Sequence, residues 1–391
     1  RSLGVLCSDG QLRPKGDSKL VVYDMLLDQR QRLWLATKGQ GLVRLEPGNA
    51  TFTSFEFTRF VHQPSDPYSL SNNNLYGLLE DGKGRLWIAS YDGGLMLLNE
   101  ELYNRTRFLH AGNDLLGYPM DLCSRVRCLE RDKKGNIWVG TTNGFLVFSE
   151  TFSKPRELRF HHFSRQMATR NAMYSSDVYD ICCDDSGRVW LGTFGNGLML
   201  CTNYTPGVRP ELVTFNQKQG FHTDIVLGLV EDNTHHLWVT SENTLARLNP
   251  ETGSCDRYNR YNGLVSGDFL EASVYKDERG HLLFGNAAGF YTVNPDAIKR
   301  NLFTPRIVFT RLQLFGRDVA VGGKDSPLER NIDDVATLKL THKQRTFNIE
   351  FAALDYQTPE NIQYEYMLEG FEEEWNMASK QRIATYTGLP R

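Results

Sequence analysis

Short apolar runs separated by polar turns dominate the first 293 residues of this chain. Leu33-Trp34-Leu35-Ala36-Thr37, Leu86-Trp87-Ile88-Ala89-Ser90 and Ile137-Trp138-Val139-Gly140-Thr141 are typical. Each run is rich in Val, Leu, Ile and Trp, and no apolar stripe of helical period competes with it. The flanking Asp, Asn and Gly residues favour tight turns, because they tolerate positive φ or bond their own backbone. The pattern predicts strand after strand, joined by hairpins.

These runs recur in register. Asp132-Lys133-Lys134-Gly135-Asn136-Ile137-Trp138-Val139-Gly140-Thr141 is echoed by Asp184-Asp185-Ser186-Gly187-Arg188-Val189-Trp190-Leu191-Gly192-Thr193. The phrase returns around Trp34, Trp87 and Trp238, and more weakly around Leu283, at spacings of 53, 51, 52, 48 and 45 residues. Every Trp, and Leu283, follows an acid by six residues: Asp28, Asp81, Asp132, Asp184, Asp232 and Asp277. A Gly-Leu tail comes next, as in Gly41-Leu42-Val43-Arg44-Leu45. One unit thus reads as a strand, a turn, a strand through the Trp, a loop, a third strand, and a variable fourth strand such as 51–57.

A four-stranded unit with a period near 50 is that of a β-propeller blade. The expected fold is all-β: six full repeats between Val22 and Val293, within a propeller spanning 1–304. The five Trp occupy one structural position and are expected between blades. Gly4-Val5-Leu6-Cys7 resembles the tail of a further unit, which points to seven blades with incomplete closure. Arg1 reads as a cut inside a longer protein. After Asn294-Pro295 the pattern changes, and 305–391 reads as a C-terminally incomplete, Ig-like β-sandwich. Its expected strands are Ile307 to Phe315, Thr337 to Leu340, Phe347 to Ala353, Gln363 to Glu369 and Ile383 to Thr387.

Composition narrows the chemistry. Lys plus Arg number 44 against 47 Asp plus Glu, a formal charge of −3, which gives no basic surface for nucleic acid. No apolar run reaches the ~20 residues of a membrane span. The seven cysteines, Cys7, Cys123, Cys128, Cys182, Cys183, Cys201 and Cys255, lack the even count and spacing of a disulfide framework and read as small core residues. No phosphate-binding glycine loop or His-Glu-x-x-His is present. The pairs His161-His162 and His235-His236 lack further ligands at suitable spacing, so no metal is expected and no cofactor. No catalytic residue stands out; the repeated acids are better explained by their turns.

The fold still indicates a place. The loop leading into the first strand of a blade and the loop between its second and third strands lie at one end, around the central channel. These loops carry Tyr91, Asp92, Arg125, Phe194, Asn196, His222 and Asp224. Aromatic faces and planar polar groups together suit a sugar. For each residue alone, turn formation is the simpler explanation.

The blades resemble the two-component regulator propeller repeat. Phe347-Asn348-Ile349-Glu350-Phe351-Ala352-Ala353-Leu354-Asp355-Tyr356, Tyr364-Glu365-Tyr366-Met367-Leu368-Glu369-Gly370-Phe371 and Thr385-Tyr386-Thr387-Gly388-Leu389-Pro390 resemble the Tyr-rich module that follows such propellers. Together they are similar to the periplasmic sensor region of hybrid two-component systems of Bacteroides-type bacteria. The resemblance implies an inner-membrane parent with a histidine kinase, a receiver and a DNA-binding domain. It also implies a glycan or oligosaccharide ligand, a homodimeric sensor region, no nucleic-acid contact by this chain, and control of glycan-use genes. A propeller lyase or hydrolase is the alternative reading.

Overall fold

The repeat begins with a carboxylate that organises its own turn. In each of the six units the acid at the end of the first strand donates its N–H to the carbonyl four residues on, as in Asp28 to Arg32 and Asp184 to Arg188. The residue three after the acid closes the turn at positive φ: Gln31 (62°), Gly84 (73°), Gly135 (77°), Gly187 (81°), His235 (61°) and Gly280 (81°). Such a left-handed residue is the bulge position of a short hairpin and is cheapest as glycine. One carboxylate oxygen accepts the N–H of the residue four on, at 2.8 Å for Arg32, Asn136 and Arg188. The other accepts the indole Nε1–H of the Trp six on, at 2.8, 2.9, 3.0, 2.9 and 2.8 Å for Trp34, Trp87, Trp138, Trp190 and Trp238. The indole can therefore be buried without leaving a donor unpaired.

The computed structural model describes residues 5–6, 12–13, 20–47, 55–100, 106–164, 177–217, 221–258, 262–264, 268–298, 305–323, 326–355, 362, 364–378 and 382–388. The chain divides into two compact units, after Ala297. In the first, five antiparallel sheets have four strands each in sequence order. Blade one is Val22–Leu27, Leu33–Thr37, Gly41–Pro47 and Phe55–Phe60; blade two is Leu75–Glu80, Leu86–Ser90, Gly94–Asn99 and Arg107–Leu109. Blade three is Val126–Arg131, Asn136–Thr141, Gly144–Ser149 and His161–Phe163; blade four is Val178–Cys183, Val189–Thr193, Leu198–Asn203 and Glu211–Phe215. Blade five is Gly228–Glu231, Leu237–Thr240, Leu245–Leu248 and Cys255–Tyr258. The propeller reading holds. Blade six corrects one detail: among the described residues it has three strands, Phe269–Lys276, Leu282–Asn286 and Gly289–Val293, not four.

The five blade Trp are all 0% exposed, and each faces the following blade. Trp34 clusters with Leu78, Leu86 and Ile88 of blade two, and Trp87 packs on Phe148 of blade three with ring centroids 4.8 Å apart. Carboxylates add polar ties, for Asp24 accepts the Leu78 N–H and Asp180 that of Leu229, each from the next blade. Gly144 sits at φ 90° where the third strand begins, and a Cβ there would collide with the Phe163 carbonyl. The outer faces of the array differ. Val21, Tyr23, Met25 and Leu27 of blade one and Leu270, Tyr275 and Phe290 of blade six are exposed. Where the sequence reads the tail of a further unit, Val5–Leu6 pairs with Leu12–Arg13 in a separate two-stranded sheet. Six blades are present among the described residues.

The second unit has a four-stranded antiparallel sheet in the order Arg317–Asp318, Ile307–Leu314, Phe347–Ala353, Ile383–Tyr386. A two-residue pair, Glu365–Tyr366 with Asn376–Met377, makes a second small sheet. The expected strand at Thr337 to Leu340 is not one. That stretch is irregular, and Leu338 and Leu340 pack into the core from a loop. Tyr364 and Tyr386 are buried and Tyr366 half-buried, whereas Tyr356 lies outside the described residues. The cysteines Cys123, Cys128 and Cys201 are buried, and Cys182, Cys183 and Cys255 half-buried; all six are free, and Cys7 is outside the described residues.

Candidate functional site

A β-bulge recurs at one position in the inner strands of blades one to four. The register shifts between Val22 and Asp24, Leu75 and Gly77, Val126 and Cys128, and Val178 and Asp180. A bulge leaves its extra residue outside the ladder and re-aims the side chain. The four residues so released are Tyr23, Tyr76, Arg127 and Tyr179. They form an arc where the inner strands begin.

The arc is continuous. Tyr23 and Tyr76 stack with centroids 4.2 Å apart, and Tyr76 stacks on Tyr91 at 5.0 Å. Arg125 and Arg127 lie 5.3 and 5.6 Å from the Tyr91 centroid. On its other side the Arg127 guanidinium stands 4.1 Å from the Tyr179 ring, and Tyr179 meets Phe194 at 5.5 Å. Arg127 is also gripped by acids. Its Nε and one terminal nitrogen bond both oxygens of Asp177 at 2.7 and 3.0 Å, and the other terminal nitrogen bonds Glu271 of blade six. Burial works against the Arg127 charge, but Asp177 and Glu271 hold the guanidinium protonated. Burial pushes the Glu271 carboxyl above its ordinary range against the pull of Arg127. Burial, then the bond that its hydroxyl donates to Tyr23, raises the Tyr76 phenol. Arg125, outside this core, pairs with Asp92 at 2.8 Å, both half-exposed.

Of the residues singled out from sequence, Tyr91, Asp92 and Arg125 meet in this arc, and Phe194, 44% exposed, marks its far end. Three others have different surroundings. Asn196 is 2% exposed, with its amide on the Met199 sulfur. Asp224 builds its loop, its carbonyl accepting the Gly195 and Gly197 N–H groups and its carboxylate that of Gln217. The His222 ring packs on Phe221 with both nitrogens buried and unpartnered, and burial lowers its pKa to about 4. The sequence reading missed Tyr23, Tyr76, Arg127, Tyr179 and Glu271. Their signal is positional: Tyr23, Tyr76, Arg127 and Tyr179 each follow the first apolar residue of an inner strand, a place that also reads as core.

The chemistry available is recognition. Asp177 and Glu271, the two acids at the centre, are both committed to one guanidinium, so neither is placed as a free acid or base. A separate hollow of about 780 Å³ lies in the second unit, lined by Ile307, Phe309, Leu338, Phe351 and Trp375 among others. Its wall is the half-covered apolar core of a small sandwich, with little to bond a hydroxylated ligand.

Comparison with known proteins agrees with this architecture. Residues 69–92, 122–143 and 175–195 match the two component regulator propeller family, and residues 355–391 match the Y_Y_Y domain. The chain carries two component regulator propeller repeats and a Y_Y_Y domain. Over 326 residues it is 24% identical to Histidine kinase P4 of Formosa agariphila, a match covering 82% of this chain and 23% of that protein. The extracellular domain of the hybrid two component system BT3049 of B. thetaiotaomicron is 23% identical, with a TM-score of 0.50, over 95% of this chain and 52% of that one. PorZ, a surface component of the type-IX secretion system of Porphyromonas gingivalis, is 16% identical with a TM-score of 0.55, over 85% and 50% of the two chains. The chain thus spans about a quarter of the curated relative and about half of these structures. Both structural likenesses concern the fold.

Proposed function

We propose that this chain is the extracytoplasmic ligand-sensing region of a hybrid two-component sensor, and that it reads a glycan fragment at the Tyr–Arg arc. One observation carries the reading: bulges in four successive blades release Tyr23, Tyr76, Arg127 and Tyr179 to one mouth, beside Tyr91 and Arg125. Flat phenol rings stack the C–H face of a pyranose, and flanking charged groups bond its hydroxyls. The matches to the propeller-repeat and Y_Y_Y families, together with the similarity to a histidine kinase and to the extracellular domain of a hybrid system, support the sensing role. In this reading the chain itself catalyses nothing, and its parent is a membrane-anchored histidine kinase acting as a homodimer from the periplasmic side. The second unit passes the signal on, and the output is transcription of glycan-use genes. Ligand shifts the sensor only by its differential affinity for two states. The His222 and Asn196 surroundings argue for contact through the arc rather than through those two.

The test is a thermal-shift screen of the purified chain against an oligosaccharide library, followed by calorimetry on Tyr91→Ala and Tyr179→Ala. A hit should raise Tm as expected for a ligand that binds only the folded state. Each variant should weaken it by about fivefold, since a stacking contact of this kind contributes on the order of 1 kcal/mol. Undiminished binding by both variants rejects the arc as the site.

A further inference from the structure

At the opposite end of the blades, the turn of blade five departs from the glycine pattern of four of the others. Its left-handed position, glycine in blades two, three, four and six, is His235 at φ 61°. The imidazole reaches two carboxylates. Its Nδ1 lies 3.1 Å from Glu231 Oε1 and 3.7 Å from Oδ2 of Asp185, which belongs to the neighbouring turn of blade four. The Asp185 N–H donates to the second Glu231 oxygen at 2.6 Å, fixing that carboxylate in place. Lys133 of blade three holds the second Asp185 oxygen at 3.2 Å. Glu231 is 7% exposed, while the side chains of His235 and Asp185 are 60% and 54% exposed, so the group is open on one side.

We propose that Asp185, Glu231 and His235 bind a divalent transition-metal ion, bridging blades four and five. The donor set is mixed, one imidazole nitrogen and two carboxylate oxygens, which suits zinc and its neighbours rather than calcium or magnesium. The spacing suits it as well. Ligand atoms at about 2.0–2.1 Å on a tetrahedron around zinc are about 3.3 Å apart. The 3.1 and 3.7 Å separations straddle that edge length, and all three ligand atoms lie within 4.8 Å of one another. Without an ion, the imidazole donates its Nδ1 proton to Glu231; a metal takes the place of that proton. The open side leaves the fourth position to water. The sequence hides the set because Asp185 and Glu231 are 46 residues apart and meet only through adjacent blade turns.

The experiment uses the whole chain, stripped with chelator and titrated with zinc chloride by calorimetry and thermal shift. The two variants are His235→Gly and Glu231→Gln. His235→Gly removes the ligand and restores the residue that four other turns carry, so the fold is kept. The expected result is one saturable zinc per chain with a raised Tm, and affinity reduced at least about tenfold in both variants, the loss usual when a metal site is impaired. No saturable zinc binding by the wild-type chain overturns the proposal. So does wild-type affinity retained by either variant, which would assign the zinc to another group. If Glu231→Gln does not fold, His235→Gly alone decides.

Discussion

Replacing Asp232 by Ala removes a carboxylate that is 0% exposed and satisfies five donors. It accepts the backbone N–H groups of Thr234 and His236, the Thr234 hydroxyl, the Trp238 indole at 2.8 Å and the Arg247 guanidinium at 3.0 Å. The turn amides can find water. Trp238 Nε1–H cannot, because Trp238 is 0% exposed, and a buried donor left unpaired costs about 1–3 kcal/mol. Arg247, 13% exposed, loses its ion partner; breaking a buried pair costs about 3–5 kcal/mol, with the exposed fraction reducing that. Together these give about 4 kcal/mol, a large share of the 5–15 kcal/mol of a typical domain. Asp232→Asn should lose nearly as much, since its amide would point a donor at the indole. The measurement is urea unfolding followed by tryptophan fluorescence. The bonds to Asp232 outweigh its burial and hold its pKa below the ordinary 3.8. Its contribution is therefore full above the unfolded value of about 3.9 and is lost as pH falls through the folded value. The wild type should lose this increment below about pH 4, and the Ala variant should not. A loss under about 1 kcal/mol for both variants would refute the role of the repeated acid as the buried anchor of its blade.

Other outcomes follow from the same packing. Trp138→Ala should cost about 3–5 kcal/mol, measured by the same unfolding, because the whole ring is enclosed between blades. Gly144→Ala should lower Tm by more than an ordinary glycine replacement, since both its φ of 90° and the nearby Phe163 carbonyl oppose a side chain. Burial raises Asp180 to about 7, so the folded protein keeps a proton that the unfolded chain has released. Stability should accordingly fall as pH rises from about 4 to about 7, and Asp180→Asn should flatten that slope in unfolding free energies measured across the interval.

The sequence alone determined the blades. In five of the six repeats the acid, left-handed turn residue and Trp lie within seven residues, and the bonds joining them are local, so spacing carried the whole arrangement. Phe347–Ala353 was legible for the same reason, as an uninterrupted strand pattern. The Leu338 and Leu340 stretch was not, because apolar residues packed from a loop look like a strand in a short window. In the loops, Tyr91, Asp92 and Arg125 could be picked out by residue type, yet Asn196 and Asp224 have the same composition and serve their own backbone. Only the tertiary structure decided the mouth. Arg127 and Glu271 are 144 residues apart, and Tyr76 points out of the ladder only because a bulge displaces it. A bulge leaves no mark in an alternating pattern, and which blades stand side by side is fixed by the packing of large aromatic side chains between them.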